Sequence, residues 1–139
     1  MNDLEKILKY SEPYLVLLIG TPLVGKSTFL KNNFNRGGYT LISRDDIILE
    51  VAETSDYDEA WKILSDCEDE FKMVDKLLKS RLIELNSLKE NVIIDMTNMS
   101  RNGRHKHIAK FPKHFKCAII FDNLPMMEYE LRNNDRIND

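Results

Sequence analysis

The apolar residues of this chain fall into two kinds of pattern, short continuous runs and longer stretches in which they recur every three or four positions. The short runs have the length of buried strands, because a parallel strand that is covered on both faces is apolar at nearly every position. They occupy residues 14–19, 39–42, 92–98 and 115–121, and the third run ends in polar residues. The stretches that we interpret as helical lie at residues 2–9, about 26–33, 47–51, 58–88 and 102–110, with a last helix after residue 125.

Strands that alternate with helices predict a parallel sheet with helices on both faces and right-handed crossovers. A chain of 139 residues suits one domain with a genuine core. We therefore expect an α/β fold with about four parallel strands, in a single domain that spans residues 1–139.

The stretch from residue 58 to 88 contains no glycine or proline. Its apolar residues recur at helical intervals, which predicts a long amphipathic helix with room for one break. They are Trp61, Leu64, Cys67, Phe71, Val74, Leu78, Leu82 and Leu85. We expect this stripe of residues to pack in the core rather than to bind a ligand.

The first apolar run ends in a loop that matches the phosphate-binding P-loop pattern G-x-x-x-x-G-K-[ST]. Glycines at positions 20 and 25 let the loop curl with its N–H groups pointing inward at an anion. The helix expected to begin near Gly25 adds its positive N-terminal end to the same place. The alternative, a glycine-containing turn with an exposed lysine, explains less, because the strand, loop and helix signals all agree.

The side chains of this loop complete a site for nucleotide phosphates. Lys26 brings a point charge to the β- and γ-phosphates, and the Ser27 hydroxyl is the expected Mg²⁺ ligand. The residues that we expect to bind the nucleotide are Gly20, Thr21, Gly25, Lys26, Ser27 and Thr28.

Polar side chains also follow the second and third predicted strands. Asp45, in the segment Arg44-Asp45-Asp46, comes just after the second apolar run, and Asp95 begins the polar end of the third. In open α/β sheets the working groups lie at the carboxyl ends of the strands, where the P-loop also lies. Helix capping by Ser43 or an aspartate is the simpler explanation of the second segment. The position at a strand end favours a functional role.

Composition adds few constraints. With 42% hydrophobic and 31% charged residues, the chain is typical of a soluble globular protein. No apolar run approaches the ~20 residues of a membrane-spanning helix, and the N-terminus lacks a signal-peptide pattern, so we expect a cytoplasmic protein without membrane contact. Cys67 and Cys117 lie far apart without metal-type spacing, and we expect both to be reduced.

The formal net charge of −3 argues against tight nonspecific binding along duplex nucleic acid. The signs are unevenly distributed, because acidic residues crowd positions 45–70 and basic residues crowd positions 101–116. The basic set is Arg101, Arg104, His105, Lys106, His107, Lys110, Lys113, His114 and Lys116. We interpret His105 and His107 as surface residues, since no metal-ligand partners lie at a recognisable spacing.

The ordered motifs resemble those of the polynucleotide 5′-hydroxyl kinases of the bacteriophage and end-healing type, within the small P-loop kinases. In that family the P-loop is followed by an Arg-Asp-Asp segment, an Asp-x-Thr-Asn segment and a helix with spaced arginines. Here these are Arg44-Asp45-Asp46, Asp95-Met96-Thr97-Asn98, and Arg132 with Arg136. The resemblance covers residues 14–139 and implies transfer of the γ-phosphate of ATP, with Mg²⁺, to the 5′-hydroxyl end of DNA or RNA.

The resemblance implies a role for each catalytic residue. Asp45 would be the general base that accepts the proton of the attacking hydroxyl. Lys26 would hold the phosphates, and Arg132 and Arg136 would form a lid over the β- and γ-phosphates. The alternative for the two arginines is a solvated helix face.

The resemblance also implies an acceptor side. The matched residues there are Arg44, Asp95, Thr97, Asn98 and Arg104. Asp95 fits a second role equally well, that of the acidic residue which ends a Walker-B strand and holds Mg²⁺ through water. The sequence leaves both roles of Asp95 open.

Three features depart from the family pattern. Leu23-Val24 replaces a small Gly-Ser pair inside the P-loop, and Ile48 stands where an arginine commonly contacts substrate phosphate. The chain ends at Asp139, whereas family members continue with another helix and often with a phosphatase or ligase domain. The end at Asp139 is expected of a minimal kinase, a truncated chain, or a module that works beside a separate phosphatase or ligase.

Two other functions compete with the polynucleotide kinase. The acidic charge and Ile48 favour a small-molecule kinase that acts on a nucleoside, sugar nucleotide or antibiotic hydroxyl, for which free nucleosides would compete with oligonucleotide ends. A nonenzymatic nucleotide-binding module would instead bind ATP firmly and turn it over slowly or not at all.

Overall fold

The computed structural model describes residues 3–20, 25–34, 37–66, 68–96 and 100–121. Within these residues lies a sheet of four strands in the order β2-β3-β1-β4, and every neighbouring pair is parallel. The strands are β1 Tyr14–Ile19, β2 Thr40–Ser43, β3 Val92–Met96 and β4 Phe115–Ile120. The predicted α/β fold with about four parallel strands is therefore confirmed.

Six helices are described. They are α1 Asp3–Lys9, α2 Lys26–Asn33, α3 Arg44–Ala52, α4 Tyr57–Ser65, α5 Glu68–Ser87 and α6 Arg101–Ala109. The long helix predicted over residues 58–88 is two helices, because α4 ends at Ser65 and α5 begins at Glu68. The helix predicted after residue 125 lies outside the described residues.

The helices cover both faces of the sheet, because successive side chains of each strand point to opposite faces. One face packs against α3, α4 and α5 in a core made of Leu15, Leu17, Ile42, Ile47, Ile48, Ala60, Leu64, Val74, Leu78, Leu82, Val92, Ile94 and Phe111. The opposite face packs against α1 and α2 in a core made of Leu8, Tyr14, Val16, Leu18, Leu30, Phe34 and Ile93. Continuous burial of β1 thus follows from its position between two layers of helices.

The core stripe predicted on α4 and α5 is correct for most of its described members and wrong for one. Leu64, Val74 and Leu82 are fully buried, but Trp61 is 38% exposed. Ala60 and Leu64 face the core, and the position after Ala60 lies a helical step of about 100° away. Trp61 therefore lies at the edge of the buried face of α4.

On α6, Ile108 packs against the core and Ala109 is exposed. One expectation for this helix needs correction. His107 is half-buried rather than on the surface, while His105 is exposed as predicted. In the described part of the chain, no helix combines the length and apolar character needed to cross a bilayer.

The direction of the strands gathers the sequence motifs at one edge of the sheet. Because all strands are parallel, the ends of β1, β2 and β3 that precede the P-loop, α3 and α6 lie side by side. The register pairs Asp95 with Leu18 on one side and with Ser43 on the other. This edge is where an open α/β sheet binds its ligands.

Candidate active site

The start of α2 has the backbone geometry that the P-loop pattern requires. Gly25, the residue before the helix, has a φ of 97°, in the left-handed region that a side chain disfavours. Glycine brings no capping side chain, so the N–H groups of the first turn stay open to an anion. Ser27 and Thr28 are exposed on this turn. Thr21 lies outside the described residues.

Lys26 is held at the centre of the site. Its side chain is 8% exposed, and its Nζ donates to the carbonyl oxygen of Gly20 at 3.0 Å. The same Nζ lies 3.1 Å from Oδ1 of Asp95. The ammonium group therefore ties the first turn of α2 to the ends of β1 and β3.

Strand alternation explains why Asp95 reaches Lys26. Ile93 belongs to the core on the α2 side of the sheet, and Ile94 belongs to the opposite core. Asp95 follows Ile94 and so points to the α2 side, where Lys26 lies. The structure thus places Asp95 beside the lysine expected to hold the nucleotide phosphates.

Asp45 is exposed in the first turn of α3, directly after β2. Ser43 occupies the N-cap position, but its side chain makes no capping hydrogen bond. Helix capping by Ser43 therefore does not explain this segment. Asp45 instead accepts a hydrogen bond at Oδ1 from the hydroxyl of Tyr57, at 3.0 Å.

Tyr57 is a site residue that the sequence motifs missed. Burial and the hydrogen bond to Asp45 raise the pKa of its hydroxyl, which favours the protonated form that donates to the carboxylate. Asp56 fixes the start of α4, because its side chain accepts hydrogen bonds from the N–H groups of Asp58 and Glu59. The helical spacing predicted a helix from residue 58, and the capping aspartate marks its start one residue earlier, at Tyr57.

The remaining predicted residues are less closely gathered. Arg44 lies 3.5 Å from Asp75 of α5, a surface contact between two solvent-accessible side chains. Arg104 lies half-buried on α6, whose first turn is capped by the Ser100 side chain. Besides Thr21, the predicted site residues outside the described part of the chain are Thr97, Asn98, Arg132 and Arg136.

The departure at Ile48 has a structural explanation. Ile48 is fully buried in the core between α3 and the sheet. Its side chain therefore packs the fold, and an arginine there would bury an uncompensated charge.

The described residues fit a magnesium ion that is held mainly by substrate oxygens. No group of three or more His, Cys, Asp or Glu side chains among them could hold a metal on its own. The exposed hydroxyl of Ser27 and the carboxylate of Asp95 flank Lys26 and offer the oxygen ligands that Mg²⁺ prefers. Phosphate oxygens and water would supply the other ligands.

The parallel sheet and the lysine at the start of α2 define a P-loop kinase-like domain, a nucleotide-binding class of protein. The chain belongs to the AAA domain family, whose model matches residues 15–139. No curated protein sequence matches the chain.

Three solved structures show the same fold. Two are of the Pnkp1/Rnl/Hen1 complex, an RNA repair complex. The first matches with 27% identity and a TM-score of 0.63 over 88% of this chain, the second with 25% identity and a TM-score of 0.67 over 94%. The third is of the PezAT chromosomal toxin–antitoxin system of Streptococcus pneumoniae, with 19% identity and a TM-score of 0.67 over 96% of this chain.

The chain spans only part of each of these proteins. It covers 39% and 40% of the matched chains in the RNA repair complexes and 60% of the PezAT chain. The similarity therefore concerns the P-loop domain, and at 19% identity the PezAT match shows the fold alone.

Proposed function

We propose that this domain is an ATP-dependent kinase that phosphorylates the 5′-hydroxyl end of DNA or RNA. The observation that carries the proposal is the placement of two carboxylates at neighbouring strand ends. Asp95 lies against Lys26, and Asp45 lies free of that pair at the end of β2. Such an arrangement separates a phosphate-binding side from a side where an acceptor hydroxyl can be deprotonated.

The proposed reaction uses the described residues as follows. Lys26 and the first turn of α2 hold the β- and γ-phosphates of ATP. Asp45 accepts the proton of the acceptor hydroxyl while the oxygen of that hydroxyl forms a bond to the γ-phosphorus. The bond between that phosphorus and the β,γ-bridging oxygen breaks, and ADP leaves. Arg132 and Arg136 would neutralise the charge on the transferred group.

Two lines of support favour a nucleic-acid acceptor. The ordered motifs resemble the end-healing kinases, and the two matches at 25% identity or more are to chains of an RNA repair complex. By the same similarity we propose that this domain acts with a phosphatase or ligase activity on a separate protein.

The test is transfer of labelled γ-phosphate from ATP, with Mg²⁺, to a short single-stranded oligonucleotide. We expect label on a 5′-hydroxyl strand and none on the same strand with a 5′-phosphate. Asp45→Asn should leave ATP affinity within a few fold and cut turnover severely. Equal loss of both properties would make Asp45 structural, and label on neither strand despite intact ATP binding would reject the nucleic-acid acceptor.

A small-molecule kinase is the second candidate. The buried side chain of Ile48 favours it, because this position supplies no cation for a substrate phosphate. Free nucleosides or sugar nucleotides that become labelled, and that outcompete oligonucleotide ends, would establish this alternative.

A further inference from the structure

Three aromatic rings form a continuous row beside Asp45. The rings of Tyr57 and Trp61 have centroids 6.0 Å apart at 75°, and those of Trp61 and Phe71 lie 5.2 Å apart at 49°. Tyr57 is 41% exposed and Trp61 is 38% exposed, whereas Phe71 packs against the core. We call the exposed part, Tyr57 with Trp61, the aromatic platform.

The platform is fixed from below rather than mobile on a loop. Ala60 and Leu64 anchor α4 in the core with no exposed surface. The α3–α4 connection is braced, since the Asp56 side chain caps α4 and the Thr54 hydroxyl donates to Glu59 at 3.2 Å. Rings that keep their position in the absence of ligand lose little conformational freedom when a ligand binds.

The platform directly adjoins the proposed general base. The Tyr57 hydroxyl donates to Asp45 Oδ1 at 3.0 Å, so one of the two exposed rings is hydrogen-bonded directly to the carboxylate. A hydroxyl placed for deprotonation at Asp45 would hold the rest of its nucleoside within reach of these rings.

The charges around the platform select what can lie on it. Five exposed acidic residues near it in the sequence are Asp45, Asp46, Asp56, Asp58 and Glu59, and they outnumber the two cations of the same segments, Arg44 and Lys62. The excess of negative charge disfavours phosphate groups, whereas the exposed aromatic surface of Tyr57 and Trp61 suits a flat uncharged ring. A nucleobase meets both conditions, because every base has a face that stacks on an aromatic side chain.

We propose that the aromatic platform holds the base of the acceptor's 5′-terminal nucleoside, with the Trp61 ring stacked on the base and the Tyr57 ring, inclined to Trp61 by 75°, against its edge, and thereby holds the hydroxyl at Asp45. This inference rests on the proposed kinase function and extends it by naming the group that the acceptor side recognises. We expect the platform to bind the first base whatever its identity, because every base can stack. The phosphates of the strand would then lead away from the acidic α4.

Trp61 is the only tryptophan of the chain, so its fluorescence reports the platform without an activity assay. Titration with a 5′-hydroxyl oligonucleotide should quench the fluorescence. The same strand with an abasic 5′-terminal nucleotide should quench it at much higher concentration or not at all. Quenching by ATP alone, with no oligonucleotide present, would assign the platform to the donor base and overturn the proposal.

Kinetics test the same contact by a matched pair of changes. Trp61→Ala should raise the KM for the oligonucleotide about 5- to 150-fold, the range expected for loss of one stacked base, with kcat and ATP affinity little changed. Trp61→Phe, which keeps a ring, should restore most of the KM. Ile63→Ala is the control, since Ile63 lies on the same helix with the same 38% exposure.

The abasic acceptor completes a double-mutant cycle. It should raise the KM of the wild type as much as Trp61→Ala does, and it should raise the KM of that variant little further. Independent, additive losses would overturn the platform.

Failure of the platform and failure of the kinase are distinguishable. Transfer to oligonucleotides with an unchanged KM in Trp61→Ala rejects the platform and keeps the kinase. If no oligonucleotide is phosphorylated, base-dependent quenching still supports the platform, and absence of quenching rejects it.

Discussion

The contact between Lys26 and Asp95 makes a prediction that separates the two roles left open for Asp95. The change is Asp95→Asn, which removes the negative charge and keeps the size and one acceptor oxygen. At 3.1 Å and an effective dielectric constant of about 20, the attraction between the two charges is about 5 kcal/mol. Both groups give up water to form this pair, so the net contribution to folding is smaller, about 1–3 kcal/mol.

Asp95→Asn should strengthen ATP binding although it lowers the stability of the fold. To reach the phosphates of a nucleotide, Lys26 must leave Asp95, and the carboxylate also repels the incoming phosphates. Without divalent cations, Asp95→Asn should therefore bind ATP about 10-fold more tightly, while the folded protein becomes less stable.

Magnesium then decides the role of Asp95. If its carboxylate holds Mg²⁺ through water, the variant should gain less from added Mg²⁺ than the wild type does. If Asp95 shapes only the acceptor side, both proteins should gain equally. Calorimetric titration of ATP measures its affinity in the presence of a chelator and in the presence of Mg²⁺, and thermal melting measures the stability of each protein.

The control for this experiment is Asp69→Asn, which makes the same charge change at an exposed position in the first turn of α5. It should leave ATP affinity unchanged and lower stability by no more than about 0.3–1 kcal/mol, the contribution of an acidic residue in the first turn of a helix. If Asp95→Asn behaves like this control without Mg²⁺, the pair with Lys26 does not oppose nucleotide binding and the reasoning is refuted.

Three further predictions concern separate parts of the chain. Arg136→Ala should slow phosphoryl transfer by about 10²-fold or more if the guanidinium acts on the transition state; an unchanged initial rate makes Arg136 a surface residue. Leu64→Ala should lower the free energy of unfolding by about 2–5 kcal/mol in urea titrations, because the side chain is fully buried; a loss no larger than that of Ile63→Ala contradicts this. Burial lowers the pKa of His107 below its usual 6.5. As the pH drops, the unfolded chain therefore binds a proton at a higher pH than the folded protein does, and stability falls below about pH 6.5. The urea concentration at the unfolding midpoint should therefore be lower at about pH 5.5 than at about pH 7.5. His107→Leu should fall less over that range, and an equal fall in the variant contradicts the assignment to His107.

The elements that the sequence predicted best are those with unambiguous local signals. Strand β1 has its predicted bounds because it lies between two layers of helices and is apolar throughout. The start of α2 was predictable because the pattern required a glycine where the structure has a left-handed φ. The break between α4 and α5 could not be located, since residues 58–88 contain no glycine or proline and packing alone decides where the chain turns.

The contacts within the site could not be predicted from the sequence, for a different reason. The approach of Lys26 to Asp95 depends on the register between β1 and β3, which no local pattern encodes. The hydrogen bond from Tyr57 to Asp45 depends on the angle between α3 and α4. Motifs located the carboxylates at strand ends, and only tertiary packing decided which partner each carboxylate contacts.

These partners give the two carboxylates different surroundings before any ligand arrives. Asp95 is engaged by a cation that a nucleotide would have to draw away, so donor binding and rearrangement of the Lys26 pair are coupled. Asp45 is engaged by a neutral hydroxyl and stays exposed, which keeps its second oxygen open to an acceptor. The order β2-β3-β1 sets both environments side by side, because it places the end of β3 between the P-loop strand and β2, the strand that leads into the first turn of α3 with Asp45. In the proposed kinase, binding of the donor and of the acceptor would therefore change different contacts, and a variant that affects one affinity alone would identify the side on which its residue acts.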